Sequence, residues 1–388
     1  MNEKVLYAFG SGTDGASPAA GLIDMSGTLY GTTESGGAYG GGTVFSIDRK
    51  TGAESVLHSF GSGADGQFPE ASVIEVNGML YGTTQSGGSY GYGTVYSLDA
   101  STGTETVVYS FCPGGYPCID GASSYASLIE VKGILYGTTY EGGAYGAGTV
   151  FSLDPKNDAE TVLYSFCTHD ECLEGEGGPY AGLIYVNGTL YGTTYADGSS
   201  GGGEVFSLDL STGAETVLHS FGTGGDGDGP RAGLIDVNGM LYGTTAFGGA
   251  HGGGTVFALG LMTGKGKVLY SFCSKHRCTD GLEPLTSLIN VNGTLYGTSA
   301  GGGANCLEEF GCGTVFAVDP TTGAETVIYS FCSQENCTDG LGPVAGLIDL
   351  AGALVNGTLY GTTIYGGANC TENDVYPGCG TVFALRAP

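Results

Sequence analysis

The chain is built from short segments in which apolar and polar side chains alternate. Thr43–Asp48 reads TVFSID, Thr94–Asp99 reads TVYSLD and Thr149–Asp154 reads TVFSLD, while Glu54–Phe60 reads ESVLHSF and Glu160–Phe166 reads ETVLYSF. Alternation of this kind, in segments rich in Val, Leu, Tyr and Phe, marks a half-buried β-strand. No stretch carries the period of an amphipathic helix. The segments return in a fixed order. The pentapeptide LYGTT stands at Leu29–Thr33, and its tyrosine, Tyr30, recurs as Tyr81, Tyr136, Tyr191, Tyr242, Tyr296 and Tyr360, at spacings of 51 to 64 residues. In the first unit, Ala20–Ser26, Thr28–Thr33, Thr43–Asp48 and Glu54–Phe60 predict four strands. Asn-Gly pairs such as Asn187-Gly188 and Asn292-Gly293 predict tight hairpins between the first two, because both turn positions tolerate positive φ.

Seven such units sharing one core predict an all-β protein, a seven-bladed β-propeller of four antiparallel strands per blade, as a single domain over residues 1–388. The ends of the chain are out of phase with the repeat. Glu3–Phe9 (EKVLYAF) reads as a fourth strand and Thr381–Leu385 (TVFAL) as a third. The N-terminal strand is therefore expected to complete the last blade, which closes the ring and removes its exposed edges.

The units LYGTTxxGGAYGxGTVFSLD and ETVLYSFxxGxDGxxPxAGLIxVNG resemble the Gloeobacter–Verrucomicrobia tandem repeat, a kelch-like unit of bacterial proteins, over essentially the whole chain. The resemblance implies an exported or surface-anchored bacterial protein and implies no particular biochemical role. Two places depart from the pattern: an insertion in LIDLAGALVNG of blade 7, and Glu204 in blade 4 where other blades have Thr. The chain closes at ALRAP, so an anchor of the kind the family carries is expected to be absent or removed.

Glycine is abundant, 77 of 388 residues, but falls at fixed places in each unit, which makes it turn chemistry rather than low complexity. Thirty-nine acidic against 11 basic residues give a formal charge of −28. Nucleic acid is excluded as a partner on this balance, since binding it requires clustered Lys and Arg; membrane insertion is not expected either. The 12 cysteines form six local pairs: Cys112/Cys118, Cys167/Cys172, Cys273/Cys278, Cys306/Cys312, Cys332/Cys337 and Cys370/Cys379. Their pairwise proximity predicts six disulfide-closed loops in an oxidising compartment, extracellular or at the cell surface. The competing reading, structural zinc, favours shorter spacers and fourfold clusters.

In a propeller the second-to-third strand loops and the blade-to-blade connections share one face. Here these are the long, variable segments, and they hold every cysteine pair; variable loops on a rigid scaffold are the expected seat of function. Residues there that lie outside the repeated strand positions are candidate ligand contacts: Tyr39, Tyr90, Tyr116, Tyr125, Tyr140, Tyr145, Tyr180, Tyr195, Phe247 and His251. Tyrosines beside carboxylates and amides suit carbohydrate. A second recurring feature is D-G-x-x-P, with Asp14, Asp65, Asp120, Asp226, Asp280 and Asp339. An Asp-Gly turn whose carboxylate accepts nearby N–H groups explains it most simply; the sharper alternative is a ring of metal ligands, for which calcium is the suited ion. No other cofactor is expected. The glutamates that begin each fourth strand, Glu54, Glu105, Glu160, Glu215 and Glu325, are expected to serve solubility.

No nucleophile or acid–base set declares itself as catalytic. Of the histidines, His58 and His219 replace the tyrosine of VLYSF and are expected to pack between blades; His169 and His276 lie in cysteine-closed loops. The sequence thus supports an exported binding module for an extracellular glycan or protein. Its alternatives are a self-associating extracellular structural protein and a polysaccharide lyase or glycoside hydrolase.

Overall fold

The computed structural model describes residues 3–10, 13–167, 177–223, 225–305, 311–350, 357–369 and 379–386. Its strands form seven four-stranded antiparallel sheets. In blade 1 they are Ile23–Met25, Thr28–Thr33, Thr43–Asp48 and Glu54–Ser59, from the axis outward. The last blade is completed by the N-terminus: Glu3–Ala8 pairs antiparallel with Thr381–Arg386, in a register that sets Glu3 opposite Leu385 and Ala8 opposite Thr381. Helical geometry among the described residues is confined to two 3₁₀ turns, His276–Cys278 and Glu335–Cys337. The predicted architecture and its ring closure are both present.

The innermost strands are shorter than expected, three residues in blade 1 instead of seven. The cause lies in the neighbouring blade. Ala20 precedes the ladder, and its carbonyl accepts a hydrogen bond from Thr362 Oγ1 at 3.2 Å, across the closure of the ring. Every blade repeats this contact: Thr32 donates to Ala71 O (3.0 Å), Thr83 to Ala126 O (3.1 Å), Thr138 to Ala181 O (3.3 Å), Thr193 to Ala232 O (3.2 Å), Thr244 to Thr286 O (3.2 Å) and Thr298 to Ala345 O (3.2 Å). The first threonine of LYGTT is therefore a latch between blades. The second bonds within its own blade, as Thr33 Oγ1 does to Thr43 Oγ1 at 2.9 Å.

The rest of LYGTT also serves the seam. Tyr30 packs against the core of blade 2, with Val73, Leu80 and Leu98, and Tyr360 against that of blade 1. Gly31 admits the ring of Phe45, which a Cβ would meet at 2.7 Å. That phenylalanine takes the edge of Phe9 from the preceding blade at 5.0 Å between centroids. An aromatic pair recurs at every seam, edge-to-face in Phe111–Phe151 (5.3 Å), Phe272–Phe316 (4.8 Å) and Phe331–Phe383 (5.1 Å) and tilted in Phe221–Phe257 (4.9 Å). Aromatic pairs of this geometry contribute about 0.5–1.5 kcal/mol beyond their buried area.

One seam differs. Tyr96 replaces the phenylalanine, is fully buried, and its hydroxyl finds no partner against Gly82. Blade 4 differs too. Glu204 removes the threonine that would bond Thr194, whose buried hydroxyl is left unpaired, and burial with Asp197 and Glu215 nearby pushes the Glu204 carboxyl up to about 8.

The glutamates that open the fourth strands lie half-buried in the seams, which corrects the solubility reading. Glu105, Glu160 and Glu54 each have a buried carboxylate oxygen without a hydrogen-bond partner. Burial raises all three carboxyls to about 7, reinforced by Asp65, Asp120 and Asp14 respectively. Glu3, beside Asp339, behaves the same way. The solvated acids are instead those ending the third strands, such as Asp48, which accepts from Thr51 N at 2.8 Å in its turn.

Two outcomes are expected. Tyr96→Phe should raise stability by about 1 kcal/mol, because an unsatisfied buried hydroxyl is removed at a position where other blades carry Phe; a fall in Tm on calorimetry would contradict it. Carboxyls whose pKa is raised on folding stabilise the fold when protonated, so their contribution is complete below about 4.5 and is lost as pH rises through about 7. The Tm should fall from pH 5 to pH 8, and Glu105→Gln should flatten that slope; a Tm that is constant or rising over the interval would refute the assignment.

Candidate functional site

The sevenfold repeat is broken at two adjacent positions on the loop face. The first is the residue four before the innermost strand, the x of P-x-A-G or of its variants in blades 2, 3 and 6. Around the ring it is Ala19, Glu70, Tyr125, Tyr180, Arg231, Leu285 and Val344. These side chains line an axial cup of about 240 Å3. Below them the wall narrows to Gly or Ser, as at Gly21, where a Cβ would stand 3.0 Å from Ser72 Oγ. The second position follows LYGTT and is Glu34, Gln85, Tyr140, Tyr195, Ala246, Ala300 and Ile364.

The two columns are offset by one blade: polar side chains occupy blades 2 to 5 in the first and blades 1 to 4 in the second, and aliphatic ones occupy the rest. The offset brings each residue of the second column beside the first-column residue of the next blade, as Gln85 beside Tyr125 and Tyr195 beside Arg231. The cup is thus polar on one side and apolar on the other.

The polar arc is a connected cluster. Gln85 Nε2 donates to the Tyr125 hydroxyl at 2.6 Å. The rings of Tyr125 and Tyr180 stack at 4.6 Å and 12°, and Tyr140 meets them edge-on at 5.7 and 5.6 Å. The Arg231 guanidinium lies over Tyr195 at 4.5 Å and over Tyr180 at 5.3 Å. Its Nε is buried without a hydrogen-bond partner. At the other end of the arc, burial and the neighbouring Glu34 push the Glu70 carboxyl up to about 7; burial raises Glu34 as well. Burial also raises the Tyr125 and Tyr180 hydroxyls, so both remain protonated donors at neutral pH.

This geometry divides the candidates named from sequence. Tyr125, Tyr140, Tyr180 and Tyr195 come together at the axis. Tyr39, Tyr90, Tyr145 and His251 share one repeat position at the outer rim and are exposed, Tyr39 by 62% and Tyr145 by 53%. Tyr116 projects, 69% exposed, from the loop closed by Cys112–Cys118. Phe247 is partly buried, its backbone paired with Asp228. The axial tyrosines use their faces on one another and on Arg231, so the cup offers edges and hydroxyls rather than open ring faces. Glu34, Glu70, Gln85 and Arg231 were not among the candidates. The signal for them is in the sequence: they occupy variable columns directly beside nearly constant ones.

The six D-G aspartates stand at the outer end of the seams. Asp14 accepts from Tyr7 Oη (2.7 Å), Asp120 from Tyr109 Oη (2.8 Å) and Cys112 N (2.9 Å), Asp280 from Tyr270 Oη (2.7 Å) and Asp339 from Tyr329 Oη (2.7 Å). Asp65 and Asp226 pair with His58 (3.2 Å) and His219 (2.9 Å), the residues that replace the tyrosine. They anchor turns to fourth strands and do not line the axial cup.

Disulfides join Cys112–Cys118, Cys273–Cys278 and Cys332–Cys337. Cys167, Cys312 and Cys379 are also disulfide-bonded, while Cys172, Cys306 and Cys370 lie outside the described residues, as do His169 and the inserted residues 351–356. Cys312, Cys332 and Cys337 bring their sulfurs within 4.8 Å of one another, but all three are oxidised and are not metal ligands. No helix among the described residues is long and apolar enough to cross a membrane.

Comparison with known proteins places the fold among propellers. The chain superposes in full on the extracellular domain of BT4673 from B. thetaiotaomicron, with TM-score 0.62 and 10% identity, covering 40% of that chain. It also superposes on an oligogalacturonate lyase solved with manganese (TM-score 0.54, 12% identity, 93% of this chain and 86% of that one). The oligogalacturonate lyase of Vibrio parahaemolyticus is similar too (TM-score 0.55, 8% identity, 96% of this chain and 90% of that one). No curated protein matches the sequence. The profile of the Gloeobacter/Verrucomicrobia repeat matches residues 2–177 and 172–383, and the chain belongs to that family.

Proposed function

We propose that this protein is an exported binding module that takes carbohydrate in the axial cup of its loop face. The carrying observation is that a sevenfold repeat changes chemistry at two columns, of which the first lines one cavity and the second packs beside it, as Gln85 does on Tyr125 and Tyr195 on Arg231. A scaffold role alone does not require those columns to differ between blades. Carbohydrate fits because a sugar ring is itself two-sided, with hydroxyls for the polar arc and C–H groups for Leu285 and Val344. The disulfides support an extracellular setting, and the fold shared with an extracellular domain is compatible with it.

A second reading has one observation in its favour. Glu34 and Glu70 are neighbours, burial and Glu34 push the Glu70 carboxyl up to about 7, and a pair of carboxyls with one raised is the equipment of a glycoside hydrolase. It predicts new reducing ends from a polysaccharide substrate, lost in Glu70→Gln.

The binding reading is tested on a glycan array. Tyr180→Ala should weaken retention at least tenfold, and Tyr39→Ala and Tyr145→Ala should leave it within about twofold, since removing a buried anchor costs more than removing a rim contact. Retention that depends on the rim tyrosines and not on Tyr180 would move the site off the axis.

A further inference from the structure

Arg231 is the one basic side chain lining the cup, in a chain of net charge −28. With so many carboxylates available, an interior arginine would ordinarily be paired. Arg231 takes part in none of the ion pairs among the described residues, which are Arg49–Asp24, His58–Asp65, His219–Asp226 and Lys275–Glu325. It is held instead over two aromatic rings. Its guanidinium carbon lies 4.5 Å from the ring centre of Tyr195 and 5.3 Å from that of Tyr180, contacts that hold the charge in place without satisfying its N–H donors. The buried, unpartnered Nε is one of those donors. A planar fork of donors fixed in this manner is suited to a carboxylate, which it meets with two parallel hydrogen bonds.

The remainder of the arc states what the carboxylate is attached to. Between Arg231 in blade 5 and Glu70 in blade 2 stand Tyr125 and Tyr180. The Tyr125 hydroxyl accepts from Gln85, so its own proton is free to be donated. Cation and acid are thus separated by hydroxyl groups. An α-amino acid, whose ammonium and carboxylate share one carbon, would require them side by side. A sugar acid has the matching order: carboxylate at one end of the ring, hydroxyls along one edge, and a C–H face for Leu285, next to Arg231 in the ring of blades, and for Val344.

Building on the carbohydrate reading, we infer that the ligand is a uronic acid residue, bound with its carboxylate on Arg231. The cup volume, about 240 Å3, is below the roughly 300–1,000 Å3 of sites for drug-sized ligands and suits a short segment of such a polymer.

The test is calorimetric titration of the intact protein with a uronic acid trisaccharide and with the neutral hexose trisaccharide of the same linkage, over a panel of linkages. The acidic sugar should bind and the neutral one should bind roughly 10- to 100-fold more weakly, the ratio expected for losing a hydrogen-bonded charged partner. Arg231→Gln should abolish that preference and lower affinity for the acidic sugar by the same factor, and Arg231→Lys should restore part of it; unchanged Tm in both variants separates this from misfolding. Equal affinity of the wild type for acidic and neutral sugars would overturn the inference and leave the carbohydrate reading standing. Binding of neither class, at any linkage, would overturn both.

Discussion

Closing a ring of blades demands that every seam be made by the same few contacts, because a small error in the angle between neighbours accumulates around the circle. In this protein the seam is a threonine hydrogen bond to the carbonyl just ahead of the next blade's innermost strand, an aromatic pair, and a tyrosine laid on the neighbouring core. All three are supplied by LYGTT and by the phenylalanines of the third and fourth strands. The closure between Thr362 and Ala20, 342 residues apart in sequence, uses the same bond as every local seam. Chain connectivity therefore contributes little to the geometry of any one interface.

That uniformity has a cost, visible where it fails. Tyr96 leaves a buried hydroxyl unpaired, and Glu204 leaves Thr194 unpaired. More systematically, the fourth-strand glutamates face the aspartates of the preceding turns, and their carboxyls shift toward neutrality because burial disfavours the charge. The protein's acidity thus has two physical meanings. The aspartates that end the third strands, such as Asp48, are solvated and bonded within their own turns, whereas the seam glutamates are half-buried with their carboxyls raised by burial.

The axial cup exists because the seams do not need its residues. Once the latch threonine and the alanine or threonine carbonyl are fixed, the side chain just before that carbonyl points to the axis and bears no packing duty. The residue after LYGTT packs beside it, as Tyr140 does on Tyr180 and Tyr195 on Arg231. Freed of structural demand, these positions became acid, amide, tyrosine, arginine and aliphatic in a contiguous order.

The sequence by itself determined the blade count, the strand order, the closure by the N-terminal strand and the cysteine pairs that the described residues show, because each follows from local period and repetition. It also gave the loop face as the variable one, and four of the tyrosines named there, Tyr125, Tyr140, Tyr180 and Tyr195, come together in the structure. It did not separate Tyr125 and Tyr180 from Tyr39 and Tyr145, nor pick out Glu70 and Arg231. Distance from the axis is not a property of a residue's neighbours in the chain. It is set when seven blades close, and only then do residues some 50 positions apart meet as stacked rings around one arginine. The tertiary structure also decided the state of the acids, since whether a glutamate is solvated or buried depends on the blade packed against it.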